Sequence, residues 1–276
     1  MMPKMAGRLA SRMALTAAEI CFLERVSDRT IKIRRGDLIQ VAGESATRAY
    51  FLEYGWAMTF SDFPDGSRQS RRLHFAGDIL GLPSMAMHHH AENIEAITDV
   101  VVAPFPKGTV AKLIEVYPRL AAIMFIFAQE ERITSGDRLC SMSRLACKGR
   151  LAFLLMDVLT RLRAADPSVT NSFELHLTRE QMGEIAGMTP VHASRMWSEL
   201  IAEGTISYEN HCVAINDQQR LISLSNFVNR STDLDFNWLP EPTEEQYAYR
   251  GARATGPAPA RIAPAIAATP LPEARR

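Results

Sequence analysis

LTREQMGEIAGMTPVHASRMWSELIAEGTI, residues 177–206, encodes two short helices joined by a glycine turn. The hydroxyl of Thr178 is placed to cap the free amides of a first helix, and Gln181, three residues on, completes a capping box. Met182, Ile185 and Ala186 follow at helical spacing, Gly183 leaves room for a neighbouring helix, and Gly187 can take the left-handed conformation that ends a helix. Thr189 is a second N-cap, and Pro190 stands where a missing amide costs nothing. The second helix is expected to run to about Glu203 and to bury Ala193, Met196, Trp197 and Leu200, spaced three and four apart. Gly204 stops it. His192, Ser194, Arg195 and Glu199 then project toward solvent or a partner. Such a pair reads as a helix-turn-helix, whose second helix enters the major groove of DNA.

The next phrase, ISYENHCVAIND, alternates Ile206, Tyr208, Val213 and Ile215 around Glu209, Asn210 and His211, which predicts a short β-hairpin, a wing after the recognition helix. With that wing, the chain resembles the Crp/Fnr-type bacterial transcription regulators over residues 31–215. The resemblance implies an α+β fold with an N-terminal jelly-roll-like β-roll sensor, a long dimerisation helix and a C-terminal winged helix-turn-helix domain. It implies a homodimer that binds an inverted repeat in double-stranded DNA and contacts RNA polymerase.

Composition agrees with a soluble protein of two compact domains: 47% of residues are hydrophobic, 22% are charged and the formal net charge is zero. No apolar run approaches the roughly 20 residues of a membrane span, and MMPKMAGRLASRM has no apolar signal core. A cytoplasmic protein without membrane partners is expected. Cys21, Cys140, Cys147 and Cys212 are scattered without a CxxC pair, which argues against a disulfide framework and against zinc or iron-sulfur cofactors.

Residues 31–105 are short β-rich runs punctuated by Gly36, Gly43, Gly55, Gly66, Gly77 and Gly81. Runs at 38–41, 50–60, 71–75 and 94–105 are expected strands, with a turn at Pro64, Asp65 and Gly66. RRGDLIQVAGE, AYFLEYGWA, DGSRQ and AGDILG are similar to the phrases that line the family's effector roll. The resemblance fails at the ligand. Members that bind cyclic AMP carry a glutamate after the last glycine of GD..G and later an Arg-Ser pair for the phosphate. Here Leu82 follows Gly81, and His90 and Ala91 replace the pair, so the anion loses its bidentate partner. Ser135 and Gly136 stand where the long helix would touch the base. The Fnr branch's cluster lacks ligands, since Cys21 is alone. The pocket reads as degenerate, its effector open.

His88, His89 and His90 near Glu92 and Glu95 suggest a second function class, a metal-dependent cupin-like enzyme. No histidine occurs between His90 and His176 to complete such a site, so no metal ligand and no catalytic residue is assigned. A regulatory β-roll module without DNA-binding activity is the other alternative.

Residues 107–117 read as a short helical connection, and Pro118 starts a long helix to about Met142. Leu120, Ile123, Met124, Phe127, Ile133, Leu139 and Met142 keep helical period, while Phe125, Ile126 and Ala128 add apolar surface beyond one stripe. In the family that excess serves the dimer. The heptad register is unresolved, because Gln129, Glu130, Glu131 and Arg132 interrupt it. A small-residue break at 146–149 is the expected hinge before the amphipathic KGRLAFLLMDVLTRLRAA, and a further helix passing through Leu221, Leu224 and Phe227 is expected within 217–239. The resulting division is a helical or flexible segment 1–30, a roll 31–117, a dimerisation helix 118–146, a DNA-binding domain 147–230 and a Pro/Ala-rich disordered tail 240–276.

For base reading, Arg195 comes first, because a guanidinium makes two hydrogen bonds to guanine, worth about 1–3 kcal/mol of discrimination. Ser194 and His192 lie on the same helix, and Ser194-Arg195 matches the Ser-Arg pair of Fnr-like readers. Val191 replaces a family glutamate and suits a thymine methyl. Thr178, Arg179 and Thr189 are candidates for phosphate contacts at helix N-termini. An ion pair with Glu199 is the competing role of Arg195. Cations and carboxylates nearly balance over residues 147–230, so no broad basic field steers the domain to DNA.

Overall fold

A computed structural model describes residues 2–241. Two N-terminal helices, α1 (Lys4–Ala10) and α2 (Ala17–Ser27), precede the roll, and Thr16 caps α2 through a full capping box with Glu19. The roll contains β1 (Ile31–Ile33), β2 (Leu38–Gln40), β3 (Arg48–Tyr54), β4 (Ala57–Asp62), β5 (Arg68–His74), β6 (Ile79–Leu80), β7 (Asn93–Ala96) and β8 (Val100–Pro106). They pair antiparallel in two sheets, β1-β8-β3-β6 and β2-β7-β4-β5. Leu52, Leu80, Ile94, Val100 and Val102 fill the space between the sheets.

Two expected strands divide. The 50–60 run breaks at Gly55, whose φ of +85° turns the chain between β3 and β4. The 94–105 run breaks between β7 and β8, where Thr98 Oγ1 accepts from the Trp56 amide at 3.0 Å.

Next come α3 (Lys107–Val116) and α4 (Pro118–Arg144), with Pro118 at the start of α4 as the sequence indicates. Leu120, Ile123 and Ile126 of α4 are buried in a core shared with α1, α2, β3 and β8. Arg119 fixes the same end: Nη1 donates to Glu19 Oε1 and Oε2 at 3.2 and 2.9 Å, and Nη2 donates to the Ala14 carbonyl at 2.8 Å. Both side chains of this pair are buried, and the extra carbonyl bond supplies the satisfaction that a buried ion pair needs.

The helix ends at Leu145, and α5 (Cys147–Ala165) follows with a face of Leu151, Leu154, Leu155, Val158 and Leu159. The C-terminal domain adds β9 (Ser172–Glu174), α6 (Arg179–Ala186), α7 (Pro190–Ala202), β10 (Ile206–Glu209), β11 (Cys212–Ile215) and α8 (Gln218–Ser225). The expected two-stranded wing is a three-stranded antiparallel sheet, β10-β11-β9, because Phe173 pairs opposite Val213 and covers the same core. The helix expected within 217–239 stops at Ser225, where Asn226 takes the left-handed conformation. Of the tail expected at 240–276, residues 242–276 lie outside the described residues.

Candidate nucleic-acid interface and sensor cavity

The helix-turn-helix is built by local rules. Thr178 Oγ1 accepts from the Gln181 amide at 3.1 Å, and Gln181 Oε1 accepts from the Thr178 amide at 2.9 Å. Gly187 closes α6 with φ +62°. Thr189 Oγ1 accepts from the His192 amide at 3.3 Å, and Pro190 opens α7. A side chain at Gly183 would press on the Met188 carbonyl at 2.7 Å, so the residue must stay small for the turn to fold back.

The cores of the two helices leave one face of α7 open. Ala193, Met196, Trp197 and Leu200 are buried. Val191, His192, Ser194, Arg195 and Ser198 are exposed, Val191 at 77%. Exposing a valine that far costs burial, since an apolar side chain contributes roughly 1.5–3 kcal/mol when covered. Arg195 carries its competing contact: Nε lies 3.5 Å from Glu199 Oε1, with the arginine side chain 68% exposed. Glu199 is shared with Lys148, whose Nζ is 2.8 Å away, so the guanidinium is held loosely.

Of the three phosphate candidates, Thr178 and Thr189 stand exposed at helix N-termini, where their hydroxyls already serve as caps. Arg179 has a different setting. Its guanidinium lies over the Trp197 ring, 4.0 Å from the centroid, and 5.4 Å from Tyr208; burial lowers its pKa. Those rings meet edge to face at 5.3 Å, so Arg179 braces α7 against the wing.

The reading head is docked on its own sensor roll, which the sequence did not signal. Trp56, Met58, Leu73, Phe75 and Ile97 of the roll share one buried core with α5, α6 and α7. Trp56 meets Phe75 and His176 edge to face at 4.7 and 5.1 Å. Ser70 and Gln69 of β5 donate to the side chain and the carbonyl of Glu184 on α6. At the hinge, Arg150 donates to the carbonyls of Leu145 and Gly187, each at 2.9 Å, which ties the end of α4 to the turn of the helix-turn-helix.

Between β5, β6, α4 and α5 lies a cavity of about 840 Å³. Asp78 stands at its base, only 4% exposed, paired with Arg8 and with Arg161 Nη2 at 2.5 Å, while Arg72 is 3.9 Å away. Burial alone would raise the Asp78 carboxyl, but the charges of Arg161, Arg8 and Arg72 outweigh it and hold the group well below the usual carboxylate range. Burial, then the charge of Arg161, pushes Arg72 down to about 9. His74, whose Nε2 meets Thr59 Oγ1 at 2.6 Å, is likewise driven down by burial and then by Arg72, so it stays neutral. Arg138 spans the domains, pairing with Asp157 of α5 at 2.9 Å and donating to the Arg71 carbonyl of β5.

The comparisons with known proteins bear on both halves. The sequence model of the cyclic nucleotide-binding domain matches residues 30–117, and that of the Crp-like helix-turn-helix domain matches residues 149–224. The chain belongs to the Crp/Fnr family of transcription regulators. Its homologues are regulators and not enzymes. The anaerobic regulatory protein of Haemophilus influenzae is 23% identical over 79% of this chain and 85% of its own length. The fumarate and nitrate reduction regulatory protein of Escherichia coli is also 23% identical, over 79% of this chain and 87% of its own. The structure of FixK2 from Bradyrhizobium japonicum shares the fold, with a TM-score of 0.65, 23% identity and cover of 71% of this chain and 96% of that one.

Within this Crp/Fnr frame, Gly81, Leu82, Ala91 and Ser135 meet around the cavity. His90, expected beside them, does not line it. The His88–His90 run instead lies against the loop at 43–46: the His90 amide donates to the Glu44 carbonyl at 2.8 Å, and Ser45 bridges to His89. Among the described residues no three His, Cys, Asp or Glu side chains come together as a metal would require, and no helix is long and apolar enough to cross a membrane.

Proposed function

We propose that this Crp/Fnr regulator is a cytoplasmic homodimer that reads an inverted repeat, one α7 in each major groove, without depending on cyclic AMP. The observation that carries the reading is the open face of α7, where Val191, His192, Ser194 and Arg195 project together from a rigidly capped helix. Arg195 reads guanine, Val191 suits a thymine methyl, and the hydroxyls and helix termini at Thr178 and Thr189 face phosphates. Arg179 supports the reader by stacking and can still turn a charged edge outward.

The dimer reading is supported by a seam on α4. Pro118, Ala122, Phe125, Gln129, Arg132, Gly136, Leu139 and Ser143 alternate four and three apart, as the heptad of a coiled coil requires. Phe125 is 59% exposed and Leu139 68%. Two exposed large apolar side chains on one such line are what a second copy of α4 would cover. Independence from cyclic AMP is supported by Leu82 and Ala91, apolar residues of the cavity lining at positions where the family resemblance implies a glutamate and a serine. RNA polymerase is the expected partner at the promoter.

Selection from random DNA by gel shift tests the proposal. Wild type is expected to enrich an inverted repeat, and Arg195→Ala to lose about 1–3 kcal/mol of discrimination at one guanine of each half-site. Enrichment of no repeat would sink the reading, and enrichment unchanged by the substitution would remove Arg195 from the reading set.

A further inference from the structure

The chain continues past α8 in a way that DNA reading does not require. Asn226, with φ +49°, reverses the backbone, and residues 227–240 run back toward the sensor domain along the flank of α4. The contacts come in sequence. Phe227 stacks edge to face on Phe153 of α5 at 5.4 Å. Arg230 forms a two-pronged pair with Asp137 of α4, Nε to Oδ2 at 2.7 Å and Nη2 to Oδ1 at 3.0 Å. A short 3-10 turn, Arg230–Thr232, is capped by Asn229, whose Oδ1 accepts from the Ser231 amide at 3.1 Å. Phe236 then meets Phe127 of α4 at 6.4 Å, and Leu239, 8% exposed, enters the core of α1, α2 and α4. The Pro240 carbonyl accepts from Arg119 Nε at 3.1 Å, the same guanidinium that holds Glu19.

This segment therefore begins on the reading head and ends in the sensor domain's core. Across the hinge at Leu145, the head is tied to α4 by the chain itself, by Arg138 on Asp157 and Arg150 on the Leu145 carbonyl close to the hinge, and by this segment along the other flank. A tie far from the hinge removes rotations that ties beside it would allow. The flank it occupies, Arg119, Phe127 and Asp137, is turned about 100° or more around the helix from the Phe125 and Leu139 seam, at 100° per residue. The seam stays free, so strap and dimer are compatible. The strap also lines the cavity, through Phe227, Val228 and Arg230.

We propose that residues 227–240 are an interdomain strap, latched by Arg230 on Asp137, that fixes the orientation of the reading head on α4 and so sets the spacing of two heads in a dimer. Arg230 is a positioning residue. It acts on DNA only through the angle of the head.

Charge reversal in the full chain tests the latch. Arg230→Asp and Asp137→Arg each place like charges together, while the double variant restores an opposite pair. In hydrogen exchange of the free protein, each single variant is expected to speed exchange across 227–240 and the hinge by roughly fivefold or more, the low end of measured site coupling. The amides of α7 stay as in wild type, and the double variant returns both regions toward it. Unchanged exchange at the hinge in both single variants, or equal loosening of α7, overturns the strap whatever the protein does with DNA. The spacing claim rests on the proposed DNA reading. With the selected inverted repeat, the single variants are expected to lose roughly fivefold or more of the preference between the chosen spacing and one base pair longer, with affinity for a lone half-site unchanged. Retained spacing preference overturns that claim, whereas failure of wild type to select any repeat overturns the DNA reading and leaves the exchange result to decide the strap.

Discussion

The helix-turn-helix and the shell that joins it to the sensor roll are built by opposite rules. In the first, each decisive contact spans three or four residues: Thr178 to Gln181, Thr189 to His192, Gly187 closing its own helix. In the second, Arg161 reaches Asp78 across 83 residues, Arg230 reaches Asp137 across 93 and Arg119 reaches Glu19 across 100. The local element tolerates loss of a cap at a cost of about 1 kcal/mol, because water replaces it. The Asp78 and Glu19 pairs do not, because their charges are buried and removal of one leaves others unpaired, whereas the Arg230–Asp137 pair is partly exposed.

That contrast can be broken in order of expected effect. Asp78→Asn leaves Arg8, Arg161 and Arg72 around a neutral group, and urea unfolding is expected to show a loss of about 3–5 kcal/mol. A loss below 1 kcal/mol would mean that water reaches the cluster and that the shell is as forgiving as the caps. Gly187→Ala comes next. The left-handed backbone and a Cβ placed 2.7 Å from Met142 Cε are expected to cost about 1–2 kcal/mol by thermal unfolding, mostly backbone strain because the methionine end can move. An unaffected melting temperature would contradict the turn geometry.

The smallest effect concerns pH. His74 has a folded-state pKa below its unfolded value, so the unfolded chain binds more protons as pH falls through the unfolded value near 6.5. The stabilising contribution is complete above that pH and is lost on acidification. Between pH 7 and pH 5 the melting temperature of wild type is expected to fall more steeply than that of His74→Gln, and parallel curves would show that His74 takes up its proton in the folded state. Asp78 does not confuse this window, since its depressed pKa moves its own loss of stability below about pH 4.

Legibility followed the same division. Both N-caps, the proline start and the two terminating glycines of the reading head were readable, since each acts within its own turn. The α4 register was not. Gln129, Glu130, Glu131 and Arg132 interrupt the apolar pattern because they serve two faces. Glu130 and Glu131 pair with Arg12 and Arg72 on the sensor side, while Gln129 and Arg132 bond to one another on the exposed seam. A run of polar residues looks the same on paper whichever way each one points. Trp56 and Phe75 read as strand residues, yet their partner is the DNA-binding domain. Leu239 and Phe236 gave no periodic signal because an extended strap has no repeat to display.

By itself the sequence determined that this chain carries a capped helix-turn-helix with a wing, an antiparallel roll and a long helix between them, because caps, turns and periodicity are written in neighbouring residues. Only the tertiary structure decided which face of α4 stays exposed, how the arginines of three elements converge on Asp78, and that the chain beyond α8 returns along α4. Those features depend on which distant side chains meet in the same low-dielectric space, and no local pattern encodes that meeting.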